Sequence, residues 1–248
     1  MLREQLLKKG LAEEKDFHWR SREIFRFEGF SDAVFAFAVT LLVISLEVPE
    51  NFTELLHLLR GFLAFAVCFA MLMLIWYQQY LFFRRYGMHD TLTIVLNSVL
   101  IFVVLFYIYP LKFLFTLLMN LFFFFHDISE VSAVLQRGQM ETLMIVYSLG
   151  FLATFLVFFL LYLRAYRRRE ALVLDEIETL HTRSELQGHV IYMSIALLSI
   201  LITVAGGEKY TAFAGWIYGL LGPAFAIHGT IMGKRVERLR AKLQLAQS

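Results

Sequence analysis

Asp32 is the residue in this sequence with the clearest chemical potential. It lies in the stretch Arg26 to Glu47, RFEGFSDAVFAFAVTLLVISLE, which is otherwise apolar and long enough to span a bilayer. A carboxylate within a membrane segment costs about 3 kcal/mol, so Asp32 is expected at a functional or network position. At about 100° per residue, Phe30, Ala33, Phe37, Thr40, Leu41 and Ile44 share one broad face of this helix. Asp32 projects to roughly the opposite side. One face is therefore apolar with a single hydroxyl, and the other presents a carboxylate to neighbouring helices. Trp76, Gln78, Gln79, Asn97 and Ser98 are the partners within reach, from the next two apolar segments. Arg26 is six residues before Asp32 and about 240° round the helix, so the two are not an i, i+4 pair. Each is expected to bond across helices.

The elements that hold these residues follow from composition. The 248 residues are 59% hydrophobic and 18% charged, too apolar for a soluble domain to cover itself. The pattern is that of an all-α, polytopic membrane protein, because no strand-like alternation marks a β-barrel. Six transmembrane spans are predicted, at 24–48, 54–84, 90–118, 139–165, 187–205 and 210–232. Val48-Pro49 stops the first, since proline disfavours helix in the residue before it. Residues 1–23 read as a cytoplasmic segment with Leu2, Leu6, Leu7 and Leu11 on one side of an amphipathic helix. The six-helix domain covers 24–232, and a basic cytoplasmic tail covers 233–248. Past Pro110 the apolar run continues to Phe122–Phe125, which suits either the membrane interface or the underside of an outer loop.

Charge sets the orientation. Nineteen of the 23 Lys and Arg residues precede the first span, link the second to the third, link the fourth to the fifth, or follow the sixth. The positive-inside rule makes that side cytoplasmic, with both termini inside. An even number of spans requires the same. The segment 164–186 mixes Arg167, Arg168 and Arg169 with Asp175, Glu176, Glu178 and Glu185. It fits a solvated amphipathic helix, or a site for lipid headgroups or a partner.

Other chemistries find no support. Cys68 is the single cysteine, and no G-x-S-x-G, H-E-x-x-H or phosphate-binding glycine loop occurs. The chain is therefore not expected to be an enzyme or to hold a cofactor or metal. The basic residues follow membrane topology, so nucleic acid is not expected as a partner. His189 and His228 lack spaced companions and read as helix-packing residues. Gly215 and Gly219 form a small-x-x-x-small pair suited to packing within the subunit. Glu47, Glu50 and Glu54 sit where they would either gather cations at an outer mouth or serve as ordinary loop acids. No repeat relates the first three spans to the last three, which weakens an inverted-repeat transporter reading.

The stretch Arg26-Phe27-Glu28-Gly29-Phe30-Ser31-Asp32 fits an R-x-x-x-F-S-D signature. With it, the first helix resembles that of the prokaryotic relatives of the lysosomal potassium channel, the transmembrane protein 175 family. Trp76, Asn97 and Pro110 resemble the second signature region of that family. The resemblance implies six helices per subunit, a homotetramer, a central pore lined by the first helix, and potassium-preferring cation conduction without a T-V-G-Y-G filter. It implies apolar narrowing at Phe37, Leu41 and Ile44, with Thr40 as the hydroxyl among them. It also implies that Arg26, Ser31 and Asp32 tie the first helix to the second and third. This set of pore positions coincides with the face derived from periodicity. Two positions depart from the pattern. Phe37 stands where a smaller aliphatic residue is usual, and Gln79 stands where histidine is common. Glutamine still donates and accepts hydrogen bonds but does not titrate.

The leading expectation is a potassium-preferring channel of the cell membrane. Its only ligand would be the permeating ion, and its partners would be further copies of itself, monovalent cations and membrane lipids. A proton-coupled transporter using Asp32 and a non-conducting membrane scaffold are the alternatives.

Overall fold

A computed structural model of the chain describes residues 16–21, 23–44, 51–119 and 139–247. The described residues form α1 (Arg26–Ile44), α2 (Phe52–Tyr86), α3 (Thr91–Met119), α4 (Gln139–Arg167), α5 (Glu176–Gly206), α6 (Glu208–Trp216) and α7 (Leu221–Gln247). A short 3₁₀ turn, Ile217–Leu220, separates the last two helices. Five helical runs are long and apolar enough to cross a membrane: α2, α3, α4, α5, and the α6–α7 unit. α1 packs against α2 and α3, α3 against α4, and α4 most extensively against α5, which in turn holds α6 and α7. One apolar core runs through the first four helices and takes in Phe35, Ala38 and Leu42 of α1.

The helix ends show how sequence becomes position. Asp175 and Glu178 form a capping box: the Asp175 carboxylate accepts from the Glu178 amide at 2.7 Å, and Glu178 accepts from the Asp175 amide at 3.1 Å. α5 therefore begins at Glu176 rather than at the predicted 187, and the amphipathic link is its first three turns. At the end of α2, Gly87 has φ +59°, the left-handed conformation that closes a helix. A Cβ there would lie 3.4 Å from the Arg20 backbone. Glycine thus lets residues 20–21 lie against the α2 end, where the Arg20 amide donates to the Arg84 carbonyl at 3.0 Å.

The sixth predicted span, drawn as one helix over 210–232, is broken. The Ser199 hydroxyl donates to the Ala214 carbonyl at 3.1 Å and the Tyr218 hydroxyl donates to Ser148 at 2.9 Å, which anchors the 3₁₀ turn to α4 and α5. Gly215, Gly219, Gly222 and Pro223 are weak helix formers and do not resist the break. Gly215 faces Met144, whereas a Cβ on Gly219 would meet nothing within 4 Å, so the glycine pair makes no shared helix contact. α7 then continues to Gln247, through the tail predicted at 233–248, because the Lys, Arg and Leu residues there favour helix. The predicted amphipathic helix at the N-terminus and Phe122–Phe125 lie outside the described residues, as do Glu47 and Glu50. The side chains of Ile44 and Glu54 do too.

Asp90, just before α3, connects three elements. It accepts from the Thr93 hydroxyl at 2.8 Å and pairs with Arg164 and Arg168. Burial would raise its pKa, but the Thr93 hydroxyl and the two guanidinium groups together hold it below the usual value of 3.8. A depressed carboxylate contributes stability that is complete above the unfolded-state value and is lost as pH falls through the folded one. Asp90→Asn is therefore expected to lower the unfolding temperature of the detergent-solubilised protein at pH 6. The gap from wild type should close below pH 3.8, and a gap independent of pH would refute the assignment.

Candidate functional site

α1 has two faces of different character. Ser31, Phe35, Ala38 and Leu42 recur at helical spacing and are buried against α2 and α3. Round the other side, Phe30 is 64% and Phe37 57% exposed, Ala33 and Thr40 are exposed, and Leu41 is half-buried. Of the face predicted from periodicity, Phe30, Ala33, Phe37 and Thr40 are thus left uncovered by the described residues. The Thr40 hydroxyl bonds its own helix, donating to the Ala36 carbonyl at 2.9 Å. Such a hydroxyl retains lone pairs that an ion or water can meet.

The buried side carries a polar chain that joins three helices. Gln79 of α2 donates through Nε2 to Asn97 Oδ1 of α3. Asn97 Nδ2 donates to Ser31 Oγ of α1 at 2.7 Å, and Ser31 donates to the Phe27 carbonyl at 2.8 Å. Ser31, Gln79 and Asn97 are each at most 3% exposed. Every bond runs in the same sense, so each polarises the next, and an unpaired member would suffer the full penalty of burial. Glutamine completes this chain without a titrating group.

Asp32 lies between the two faces and is itself exposed. Trp76 Nε1 donates to its Oδ1 at 2.8 Å. Trp76 stacks on Tyr80 at 5.8 Å between centroids, Tyr80 meets Trp19 edge-on at 6.2 Å, and the Arg84 guanidinium covers Tyr80 at 5.2 Å. Asp32 is thereby fixed by an indole which an aromatic column holds in place. Arg26 differs from expectation. It is exposed and makes no hydrogen bond or ion pair among the described residues, where Ser31 and Asp32 carry the tie. Its position in the first turn turns it away from α2 and α3.

Two features were not foreseen from sequence. Tyr80 stands i+4 from Trp76, a spacing that marks a shared helix face and would have revealed the column. Glu28 is buried one turn before Asp32, and its Oε1 has no hydrogen-bond partner among the described residues. Elsewhere, His189 is enclosed by Phe158 and Tyr162, with ring centroids 5.7 and 5.0 Å away, and His228 meets Gln187 at 3.3 Å. His18, Asp175 and Glu178 converge closely enough to suggest a cation site. Arg20, however, already places its guanidinium on Glu178, at 2.5 Å from Oε2 and 3.1 Å from Oε1.

Comparison with known proteins is consistent with this geometry. A family described as the endosomal/lysosomal potassium channel TMEM175 matches residues 26–110, a stretch that holds every network residue from Ser31 to Asn97. A potassium channel of Marivirga tractuosa is 39% identical over 231 residues, covering 90% of this chain and 94% of the relative. A potassium channel of Chamaesiphon minutus is 33% identical over 93 residues, 34% of this chain and 46% of the relative. The crystal structure of the potassium channel MtTMEM175, a threonine-to-alanine variant in complex with a nanobody–MBP fusion protein, superposes with a TM-score of 0.79 at 38% identity. That match covers 90% of this chain and all of the other.

Proposed function

Because this chain belongs to the TMEM175 family of potassium channels, we propose that it conducts potassium as a homotetramer with α1 lining a central path. It is a multi-pass membrane channel and not an enzyme. The observation that carries the proposal is the exposed face of α1. Phe30, Ala33, Phe37 and Thr40 are left uncovered on a helix whose opposite side is packed and hydrogen-bonded to α2 and α3. A single α1 cannot enclose an ion path, whereas four copies turned inward would.

In this reading α1 is the sixth span and both termini are cytoplasmic. The channel domain covers 24–232, and residues 1–23 and 233–248 flank it on the inner side, the latter as an extension of α7. Rings of Phe37, Leu41 and Ile44 form an apolar constriction that gates by excluding water, with Thr40 supplying hydroxyl oxygens. Selectivity arises from partial dehydration at that constriction, since the chain has no T-V-G-Y-G filter. The polar chain Gln79–Asn97–Ser31 and the Trp76–Asp32 bond set the rotation of α1, so that the apolar face and not the carboxylate meets the axis. Monovalent cations and membrane lipids are the other partners, in the plasma membrane of a prokaryotic cell.

The test is flux in liposomes holding the purified protein, under potassium or sodium gradients, for wild type and Asp32→Asn. The channel reading expects fast, potassium-favouring flux that does not saturate. It expects the variant to lose assembled protein while the tetramers that remain keep the same preference. Slow, saturable flux abolished in a fully assembled Asp32→Asn variant would replace the channel with a carrier that couples through Asp32. Silence from folded tetramers would leave a scaffold.

A further inference from the structure

A cavity of about 380 Å³ opens between α5 and α7, beside Asp16. That volume lies at the lower end of the range of about 300–1,000 Å³ for small-molecule sites. Its floor is formed by Gly229 and Gly233, one turn apart on α7, where an added Cβ would meet nothing within 4 Å. These glycines therefore do not bring two helices together. They leave room. Leu180, Met232 and Val236 supply the apolar wall.

Polarity changes along the cavity. Gly229 and Met232 lie inside the span predicted to end at 232, and Glu237 and Arg240 lie one to two turns beyond it. About 16 Å of helix separates Gly229 from Arg240, so with the span ending at 232 the cavity would cross from acyl chains to headgroups.

The polar end carries two signs of charge. Arg240 donates to Asp16 Oδ1 through one terminal nitrogen, and its other N–H groups make no hydrogen bond among the described residues. His181 Nε2 is buried without a hydrogen-bond partner, 3.6 Å from Asp16 Oδ2, and Ser184 adds a hydroxyl. These three present donors to an anion. Asp16 and Glu237 present carboxylates to a cation, and Glu237 has no ion-pair partner among the described residues.

We infer that this cavity binds the headgroup of a zwitterionic phospholipid bearing a primary ammonium, of the phosphatidylethanolamine type. The phosphate meets Arg240, Ser184 and His181. The ammonium donates its three N–H bonds to Asp16 and Glu237, and the glycerol end lies over Gly229 and Gly233 towards the bilayer. Charge complementarity selects this headgroup. A choline head has no N–H to donate, and a glycerol head brings a net negative charge to a lining with two carboxylates. Placing the lipid in the inner leaflet rests on the orientation given under Proposed function, whereas its binding to these residues does not.

Native mass spectrometry of the full-length protein, released from nanodiscs of equimolar ethanolamine, choline and glycerol phospholipids, tests the inference. Wild type is expected to retain the ethanolamine lipid over the other two by about tenfold, the scale of one charge-assisted hydrogen bond. The double variant Gly229→Leu/Gly233→Leu fills the floor and removes two weak helix formers, so it is expected to fold yet lose the retained lipid. Arg240→Gln should lose it as well. Equal retention of all three lipids by wild type, or undiminished ethanolamine-lipid retention in a folded floor-filled variant, would overturn the proposal. Potassium flux measured on the same samples reports separately on the channel reading, so failure of one is distinguishable from failure of the other.

Discussion

Phe37→Ala is expected to raise potassium flux by about tenfold, equivalent to lowering the barrier by about 1.4 kcal/mol. Phe37 projects from the uncovered face of α1, where four copies round one axis would bring four rings together. Apolar side chains at a narrow point exclude water, and an ion that cannot keep its hydration meets a barrier. Truncation to alanine widens the ring and lets water in. Because Phe37 is 57% exposed and outside the core formed by the described residues, the variant is expected to fold and assemble as wild type does. Potassium preference should fall alongside the rise in flux, since a wider path lets sodium pass with its water. A decrease in flux would instead show that the rings guide the ion through their faces. Unchanged flux with unchanged preference would remove Phe37 from the path.

Arg20→Ala is expected to destabilise the folded subunit by about 3–5 kcal/mol, the usual result of leaving one member of a buried ion pair alone. Glu178 is 1% exposed and receives both terminal nitrogens of Arg20, while Arg20 Nε donates to the Leu172 carbonyl at 2.6 Å and its NH2 group to Val173 at 2.9 Å. Val173 has φ +51°, an uncommon conformation for a β-branched residue, and the Arg20 bond helps hold it. The same guanidinium therefore fastens the segment before α1 to the start of α5. Arg20→Lys keeps the charge opposite Glu178 but loses the planar fork that reaches Glu178, Leu172 and Val173 together, so it should recover only part of the loss. Unfolding midpoints of the two variants in detergent decide the matter. A loss near zero in Arg20→Ala, or full recovery in Arg20→Lys, would mean that the forked pair does not carry the junction.

Much of the architecture was determined by local sequence alone. Apolar runs of bilayer length, separated by Val48-Pro49, Arg84-Arg85 and Arg167-Arg168-Arg169, specify where helices lie, because the hydrocarbon requires every backbone bond to be made within the segment. The two faces of α1 were legible for the same reason: side-chain direction on a helix follows from spacing, so Phe30, Ala33, Phe37 and Thr40 group together without knowledge of any neighbour. The polar positions of the anchor were legible too, since Asp32, Gln79 and Asn97 are polar groups within apolar segments and each needs a partner on a neighbouring helix.

What the tertiary structure decided was who bonds to whom. That Trp76 meets Asp32, and that Ser31 receives Asn97, depends on how α1, α2 and α3 are rotated and offset, which spacing within any one helix does not encode. The early start of α5 was written locally in Asp175-x-x-Glu178, but the burial of Glu178 under Arg20 joins residues 158 apart in the chain. The break in the last span likewise needs Ser199 and Ser148 as outside partners for Ala214 and Tyr218. Only packing brings such groups together, because a helix controls the directions of its own side chains and not the positions of its neighbours.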